Sequence, residues 1–205
     1  MNNIKFDKTF FLKSIIDCSA VEDFFGIEVA FLGRSNSGKS SLINCLTNNK
    51  QLARVSKLPG RTRTINLFNV LSDFRIIDFP GYGYSKIDHV TQNLLNNNLF
   101  FYLRNRKCLR GIVFLSDIRR SLQEYDKIIL KKIKLRLLPV LIILTKSDKV
   151  SKQYAYRRVF LLRKKLIKWC MKITILSFSK FNKSNISAVI EILSLWYVSS
   201  LHRQA

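Results

Sequence analysis

Residues 33–40 read Gly33-Arg34-Ser35-Asn36-Ser37-Gly38-Lys39-Ser40 and match G-x-x-x-x-G-K-S/T at every specified position. This pattern constrains fold and ligand together. The chain must arrive on a strand, turn back on itself at glycines and leave as a helix, wrapping backbone N–H groups around the phosphates of a nucleotide. The flanks agree: Ile27–Leu32 reads as a buried strand and Lys39–Thr47 as a helix. Gly33, Arg34, Ser35, Asn36, Ser37, Gly38 and Ser41 then line a phosphate loop, and Lys39 reaches the β- and γ-phosphates. Ser40 sits at the positive end of the helix dipole and offers its hydroxyl to Mg²⁺.

A chain of 205 residues with 47 % hydrophobic content supports one globular domain with a full core. Its longest apolar runs, such as Gly111–Leu115 and Val140–Leu144, are too short to cross a bilayer and suit strands buried on both faces of a parallel sheet. Asn2, Asn3, Lys5, Asp7 and Lys8 lead into no continuous apolar segment. The expectation is a cytoplasmic chain without a membrane partner. Cys18, Cys45, Cys108 and Cys170 stand far apart among apolar neighbours and read as small buried thiols, while His89 and His202 read as surface residues. The charge is more telling. Thirty-six Lys and Arg against thirteen Asp and Glu give +23, a field that favours polyanions. An AT-rich genome would inflate lysine, but it would not drain acids. A nucleic-acid partner is the expectation.

Short apolar runs alternate with longer amphipathic ones, which predicts a three-layer α/β/α domain around a mostly parallel, six-stranded sheet. The strands are placed at Ile27–Leu32, Ile65–Val70, Phe74–Ile77, Ile112–Ser116, Val140–Leu144 and Ile173–Leu176. The helices are placed at Lys39–Thr47, Asp88–Arg104, Leu122–Leu137, Ser151–Trp169 and Ile186–His202. Residues 1–23 form an N-terminal extension whose Phe6, Phe10, Phe11 and Leu12 pack on the domain at 24–205.

Ligands in such folds bind at the carboxyl ends of the strands, so the residues after each strand matter most. After Phe74–Ile77 come Asp78-Phe79-Pro80-Gly81. Asp78 can hold Mg²⁺ through water while the Gly81 N–H meets the γ-phosphate; alone, the same tetrapeptide would be a turn. After Val140–Leu144 come Thr145-Lys146-Ser147-Asp148. A carboxylate at Asp148 can accept from the N1–H and 2-amino group of guanine, with the Lys146 stem along the base. Adenine lacks that donor pair. The competing reading is a helix cap from Ser147 or Asp148. Between the first helix and the next strand, Pro59-Gly60-Arg61-Thr62-Arg63-Thr64 forms a polar loop in which Thr62 or Thr64 can complete the Mg²⁺ shell. After the last strand, Phe178-Ser179-Lys180 can place a backbone N–H on guanine O6, or simply form a solvated turn.

The ordered set GRSNSGKSSLIN, PGRTRTIN, DFPGYGYSK, SDIRRS and TKSD resembles the EngB family (also YihA or YsxC) of bacterial ribosome-biogenesis GTPases, from about Phe24 to Trp196. The resemblance implies a small-GTPase-like P-loop domain. It makes Thr62 the switch-loop threonine, gives Mg²⁺ to Ser40 and Thr62, and assigns guanine to Asp148. It also implies a role in assembly of the large ribosomal subunit, with rRNA or a pre-ribosomal particle as the target of the positive field; separately, a monomer is expected. Ser37 stands where the family commonly has valine, and Thr64 where it has a leucine-like residue.

Hydrolysis of GTP needs charge neutralisation, here from Lys39, Mg²⁺ and loop N–H groups, and a positioned water. The position after Gly81, where glutamine usually aids the water, holds Tyr82. A phenol cannot replace a carboxamide in that task. Slow turnover is expected, as in a switch; the alternative is a GTP-gated RNA-binding module whose hydrolysis is incidental or partner-dependent. Asn36 has two readings, a K⁺ ligand that substitutes for an arginine finger, or a residue tolerant of the loop's strained backbone. Ser151–Lys172 carries Lys152, Arg157, Arg158, Arg163, Lys164, Lys165, Lys168 and Lys172 without an acid, either as an RNA-facing helix or as a solvated face.

Overall fold

The computed structural model describes residues 4–20, 24–54, 64–83, 88–169 and 172–201. Strands β1 (Phe10–Ile15), β2 (Ile27–Gly33), β3 (Ile65–Leu71), β4 (Phe74–Asp78), β5 (Leu109–Asp117), β6 (Val140–Thr145) and β7 (Ile173–Ser177) form one sheet in the order β1-β3-β4-β2-β5-β6-β7. β4, β2, β5, β6 and β7 pair in parallel, whereas β3 is antiparallel to both β1 and β4. Five helices flank the sheet: α1 (Lys39–Leu46), α2 (His89–Asn105), α3 (Glu124–Lys134), α4 (Lys152–Leu166) and α5 (Lys183–Leu201).

Period-2 alternation divides the core between the two faces. On β5, Ile112 and Phe114 join Leu99 and Tyr102 of α2, Ile129 and Ile133 of α3, and Ala155 and Leu166 of α4. The alternate residues Val113 and Leu115 join Leu42 and Ile43 of α1 and Val189 and Leu193 of α5. Because both faces are covered, β2 and β6 are buried along their whole length, which is why Val140–Leu144 reads as an unbroken apolar run and β2 as one interrupted only by Glu28. Helix α5 is long and apolar enough to cross a membrane by length and composition. Here it lies on the sheet, with Val189 and Leu193 fully buried and the Tyr197 hydroxyl donating to Asp73 at 2.9 Å.

The sheet has seven strands, one more than the six expected. The added strand, β1, is exposed on both faces, so no hydrophobic period marks it. Main-chain pairing with β3 defines it, from Phe10↔Asn69 to Ile15↔Ile65. Phe6 is buried edge-on against Phe74 and Phe11 lies edge-on to Phe68 at 5.9 Å, while Phe10 and Leu12 stand exposed.

Helix α3 ends at Lys134 rather than Leu137, because Leu137 adopts φ 53° just before Leu138-Pro139, where helical backbone is disfavoured. Helix α5 begins at Lys183, three polar residues ahead of the apolar pattern. Within the sheet, Glu28 is completely buried. It pairs with Arg106 at 2.7 Å and accepts the Tyr102 hydroxyl at 2.7 Å, tying β2 to α2.

Candidate functional site

The phosphate loop leaves β2 at Gly33 and enters α1 through Gly38, whose φ of 99° suits glycine. The turn closes with the Ser37 N–H on the Arg34 carbonyl at 3.0 Å. Asn36 takes φ 62°, a left-handed conformation that asparagine tolerates better than most residues. That backbone reason for asparagine requires no ion. Ser40 and Ser41 lie in the first turn of α1, and Lys39 is buried beside Asp78.

Asp78 ends β4 and is buried, and its Oδ1 has no hydrogen-bond partner among the described residues. Burial pushes its carboxyl up from the usual range, offset in part by Lys39 and Asn66. The same burial pulls the Lys39 ammonium down, offset in part by Asp78. An unpaired buried carboxylate oxygen beside a serine-headed helix fits the hydration shell of a hard divalent cation. From Asp78 the chain continues along the loop: Phe79 N–H bonds the Phe31 carbonyl at 3.2 Å, and Ser35 N–H bonds the Tyr82 carbonyl at 2.9 Å. A Cβ on Gly81 would lie 2.7 Å from the Ser35 Cα, so only glycine lets this segment approach the phosphate loop so closely. Pro80 completes the turn, half-buried.

Phe79 points the other way, into the core, edge-on to Tyr102 at 5.0 Å. Tyr82 does likewise. It is buried, packs edge-on against Tyr125 at 5.0 Å and donates its hydroxyl to Asp126 at 2.8 Å. Asp126 in turn accepts the Gln123 N–H at 2.8 Å as part of the capping box that starts α3. The phenol is thus committed to the α3 terminus.

The segment after β6 braces the loop from the other side. The buried Thr145 hydroxyl donates to the Ser37 carbonyl at 2.6 Å, and the Lys146 Nζ donates to the Asn36 carbonyl at 2.9 Å. Ser151 caps α4 by accepting the Tyr154 N–H at 3.1 Å, so neither Ser147 nor Asp148 is used as that cap. Asp148 instead accepts from the Ser179 hydroxyl at 3.0 Å, while Ser147 N–H bonds the Phe178 carbonyl at 3.1 Å. These two contacts fix the register of the loop after β7: Phe178 is buried, Ser179 faces Asp148 and Lys180 is exposed, its Nζ 5.0 Å from the Phe181 ring centroid.

Pro59, Gly60, Arg61 and Thr62 lie outside the described residues, as do Cys170 and His202. Thr64 is described and approaches Asn66 at 3.4 Å. His89 is exposed. Cys18 and Cys108 are buried thiols, both pushed up to about 12 by desolvation. Among the described residues, no cluster of His, Cys, Asp and Glu is arranged to hold a metal by itself.

One residue of the site, Asp117, lies in the SDIRRS segment of the motif set, to which the sequence alone assigns no role. Asp117 ends β5, is buried and binds Lys146 at 3.1 Å and Arg119 through a fork at 2.9 and 2.7 Å. Burial opposes its ionisation, but the hydrogen bonds from Arg119 and Lys146 outweigh that and hold the carboxyl well below the usual range. Its signal is an acid at a strand end, the same signal that singles out Asp78.

Residues 28–146 match the family model described as 50S ribosome-binding GTPase. The chain is 41 % identical over 97 % of its length to a probable GTP-binding protein EngB of Buchnera aphidicola subsp. Baizongia pistaciae, covering 89 % of that protein. A crystal structure of a probable GTP-binding protein engB shares the fold at TM-score 0.64 and 23 % identity, over 84 % of this chain and 99 % of the other. Era, in a complex with MgGDPNP and 16S ribosomal RNA nucleotides, shares it at TM-score 0.65 and 22 % identity, over 84 % of this chain and 57 % of Era. The phosphate loop, the Asp78–Gly81 segment and the Thr145–Asp148 segment thus lie within a known lineage: the chain belongs to the EngB family of GTP-binding proteins, among the ribosome-binding GTPases.

Proposed function

We propose that this chain binds GTP and GDP with Mg²⁺, hydrolyses GTP slowly, and acts in the cytoplasm as a monomeric switch on the large ribosomal subunit or its precursors. The observation that carries this reading is the convergence at one end of the sheet. The phosphate loop, the unpaired Asp78 Oδ1 and the Asp148–Ser179 pair all sit where β2, β4, β6 and β7 end. Lys39 and the loop N–H groups take the phosphates, and the Gly81 N–H takes the γ-phosphate. Ser40 and Thr62 would hold Mg²⁺ directly, with Asp78 acting through water, and the ion would neutralise phosphate charge. Asp148 reads the guanine donors, Ser179 fixes its carboxylate, and the loop through Lys180 meets O6.

Tyr82 supports slow intrinsic turnover. Its hydroxyl is bound to Asp126 inside the protein and offers a water nothing. The same observation favours the second reading, a GTP-gated RNA-binding module whose hydrolysis depends on a partner. Multiple-turnover phosphate release with and without large subunits separates the two. Asn36 is the residue available to K⁺, and equal hydrolysis rates in K⁺ and Na⁺ at matched ionic strength remove that role.

Nucleotide titrations of Asp148→Asn test the core of the proposal. An amide in place of the carboxylate presents a donor to the guanine donors. GTP affinity should fall at least about a hundredfold, and affinity for xanthosine triphosphate, which offers a carbonyl there, should rise. Unchanged GTP affinity, or a wild-type preference for ATP, overturns the reading.

A further inference from the structure

Helix α4 presents an outward face unlike an ordinary solvated one. Only Ala155 and Leu166 are buried along Lys152–Leu166, and the segment has no acidic residue. At about 3.6 residues per turn, the outward side chains fall into two adjacent rows. One row is apolar: Tyr156 at 76 % exposure, Phe160 at 55 % and Ile167, in the short 3-10 turn that continues the helix, at 76 %. The other row is cationic, comprising Arg157, Lys164 and Lys168, all exposed. None of these three has a salt-bridge partner among the described residues.

The neighbouring arginines behave differently. Arg158 donates to the Ile118 and Arg120 carbonyls at 3.1 and 2.6 Å, and Arg163 donates to the Ile175 carbonyl at 3.2 Å. They fasten the helix to the fold, so the outward row is left to meet a partner. Scattered apolar residues on a surface need no explanation. Two rings one helical turn apart, flush with a row of unpaired cations, suit a ligand that is anionic along one edge and aromatic along the other. A duplex does not match, because its bases stay stacked and show only their edges. An unpaired strand does, with phosphates on the cations and bases free to stack on rings.

We propose that the α4 face takes a single-stranded RNA segment, with phosphates along Arg157, Lys164 and Lys168 and unstacked bases on Tyr156 and Phe160. The inference rests on the ribosome-directed reading above and narrows its target to unpaired rRNA.

The test uses the full chain and three readouts: anisotropy with labelled oligouridine, anisotropy with a hairpin duplex of matched phosphate number, and co-sedimentation with large subunits. Y156A/F160A should weaken oligouridine binding about tenfold or more, leave duplex binding and the salt slope unchanged, and spare GDP affinity. Y156F/F160Y should keep wild-type affinity. R157Q/K164Q/K168Q should weaken both RNAs and flatten the salt slope by about two. Oligouridine binding unaffected by Y156A/F160A overturns the inference, as does tighter binding to phosphatidylglycerol vesicles than to RNA. If the wild type fails to sediment with large subunits in any nucleotide state, the ribosome reading itself falls. Where Y156A/F160A lowers GDP affinity through misfolding, photocrosslinking of 4-thiouridine RNA to the unmutated chain decides. Crosslinks on the α4 peptide support the proposal, and crosslinks elsewhere overturn it.

Discussion

Asp78 and Asp117 flank the same strand. They end β4 and β5, the two neighbours of β2, and are 6 % and 7 % exposed. Yet burial wins at Asp78, where the carboxyl is raised, and loses at Asp117, where it is lowered. Exposure therefore does not set the difference. Partners do. Asp117 accepts the Arg119 N–H at 3.0 Å, the Arg119 guanidinium and the Lys146 ammonium, so its charge is met within the protein. Asp78 has the field of buried Lys39 but leaves Oδ1 unpaired. A satisfied buried acid positions its neighbours; an unsatisfied one suits a ligand-borne charge.

The largest expected effect tests the unsatisfied side. Asp78→Ala should lower GTP hydrolysis about 10²–10³-fold and weaken the Mg²⁺ dependence of nucleotide affinity measured by calorimetry. The nucleotide-free variant should lose only part of its stability in urea, the cost of leaving Lys39 buried without its counter-charge. A strongly destabilised variant with intact Mg²⁺ dependence would break the comparison, because Asp78 would then be structural like Asp117.

Asp117→Ala should act on binding instead. Without the carboxylate, Lys146 keeps only its bond to the Asn36 carbonyl and is freer to leave the base side of the site. GDP affinity should fall about tenfold, while hydrolysis at saturating GTP stays near wild type. Arg119 is half-exposed, and Arg119→Ala should change GDP affinity by less than about twofold. A loss of kcat in Asp117→Ala with unchanged affinity would place this acid among the reacting groups.

The two acids also mark the boundary of what local sequence encodes. The placement of Gly33–Ser40, Asp78–Gly81 and Thr145–Asp148 at the ends of β2, β4 and β6 is legible in the chain, because each follows an apolar run directly. Strand β1 is not, since both its faces are exposed and pairing alone makes it a strand. The role of Asp117 depends on β5 and β6 lying side by side with Asp117 opposite Thr145, a juxtaposition that no local pattern encodes. Glu28, an acid inside an apolar strand, is explained only by Arg106, and Tyr82 only by Asp126. Non-local partners decide all three.

The smallest effect sharpens the comparison most, because its sign differs between the two acids. The raised Asp78 carboxyl holds its proton when folded after the unfolded chain has lost it. Its contribution to stability is therefore full below ~4 and is lost as pH rises through the folded value. The lowered Asp117 contributes above ~4, and that contribution is lost as pH falls. Urea midpoints of the nucleotide-free chain should show both slopes, of opposite sign. Asp78→Asn should remove the loss on the alkaline side and Asp117→Asn the loss on the acid side. Saturating Mg²⁺ and GDP favour the ionised Asp78, so under those conditions Asp78→Asn should cost stability at alkaline pH, while the Asp117→Asn profile keeps its sign. If both variants shift in the same direction with pH, the two carboxylates are not the satisfied and unsatisfied pair that their hydrogen bonds describe.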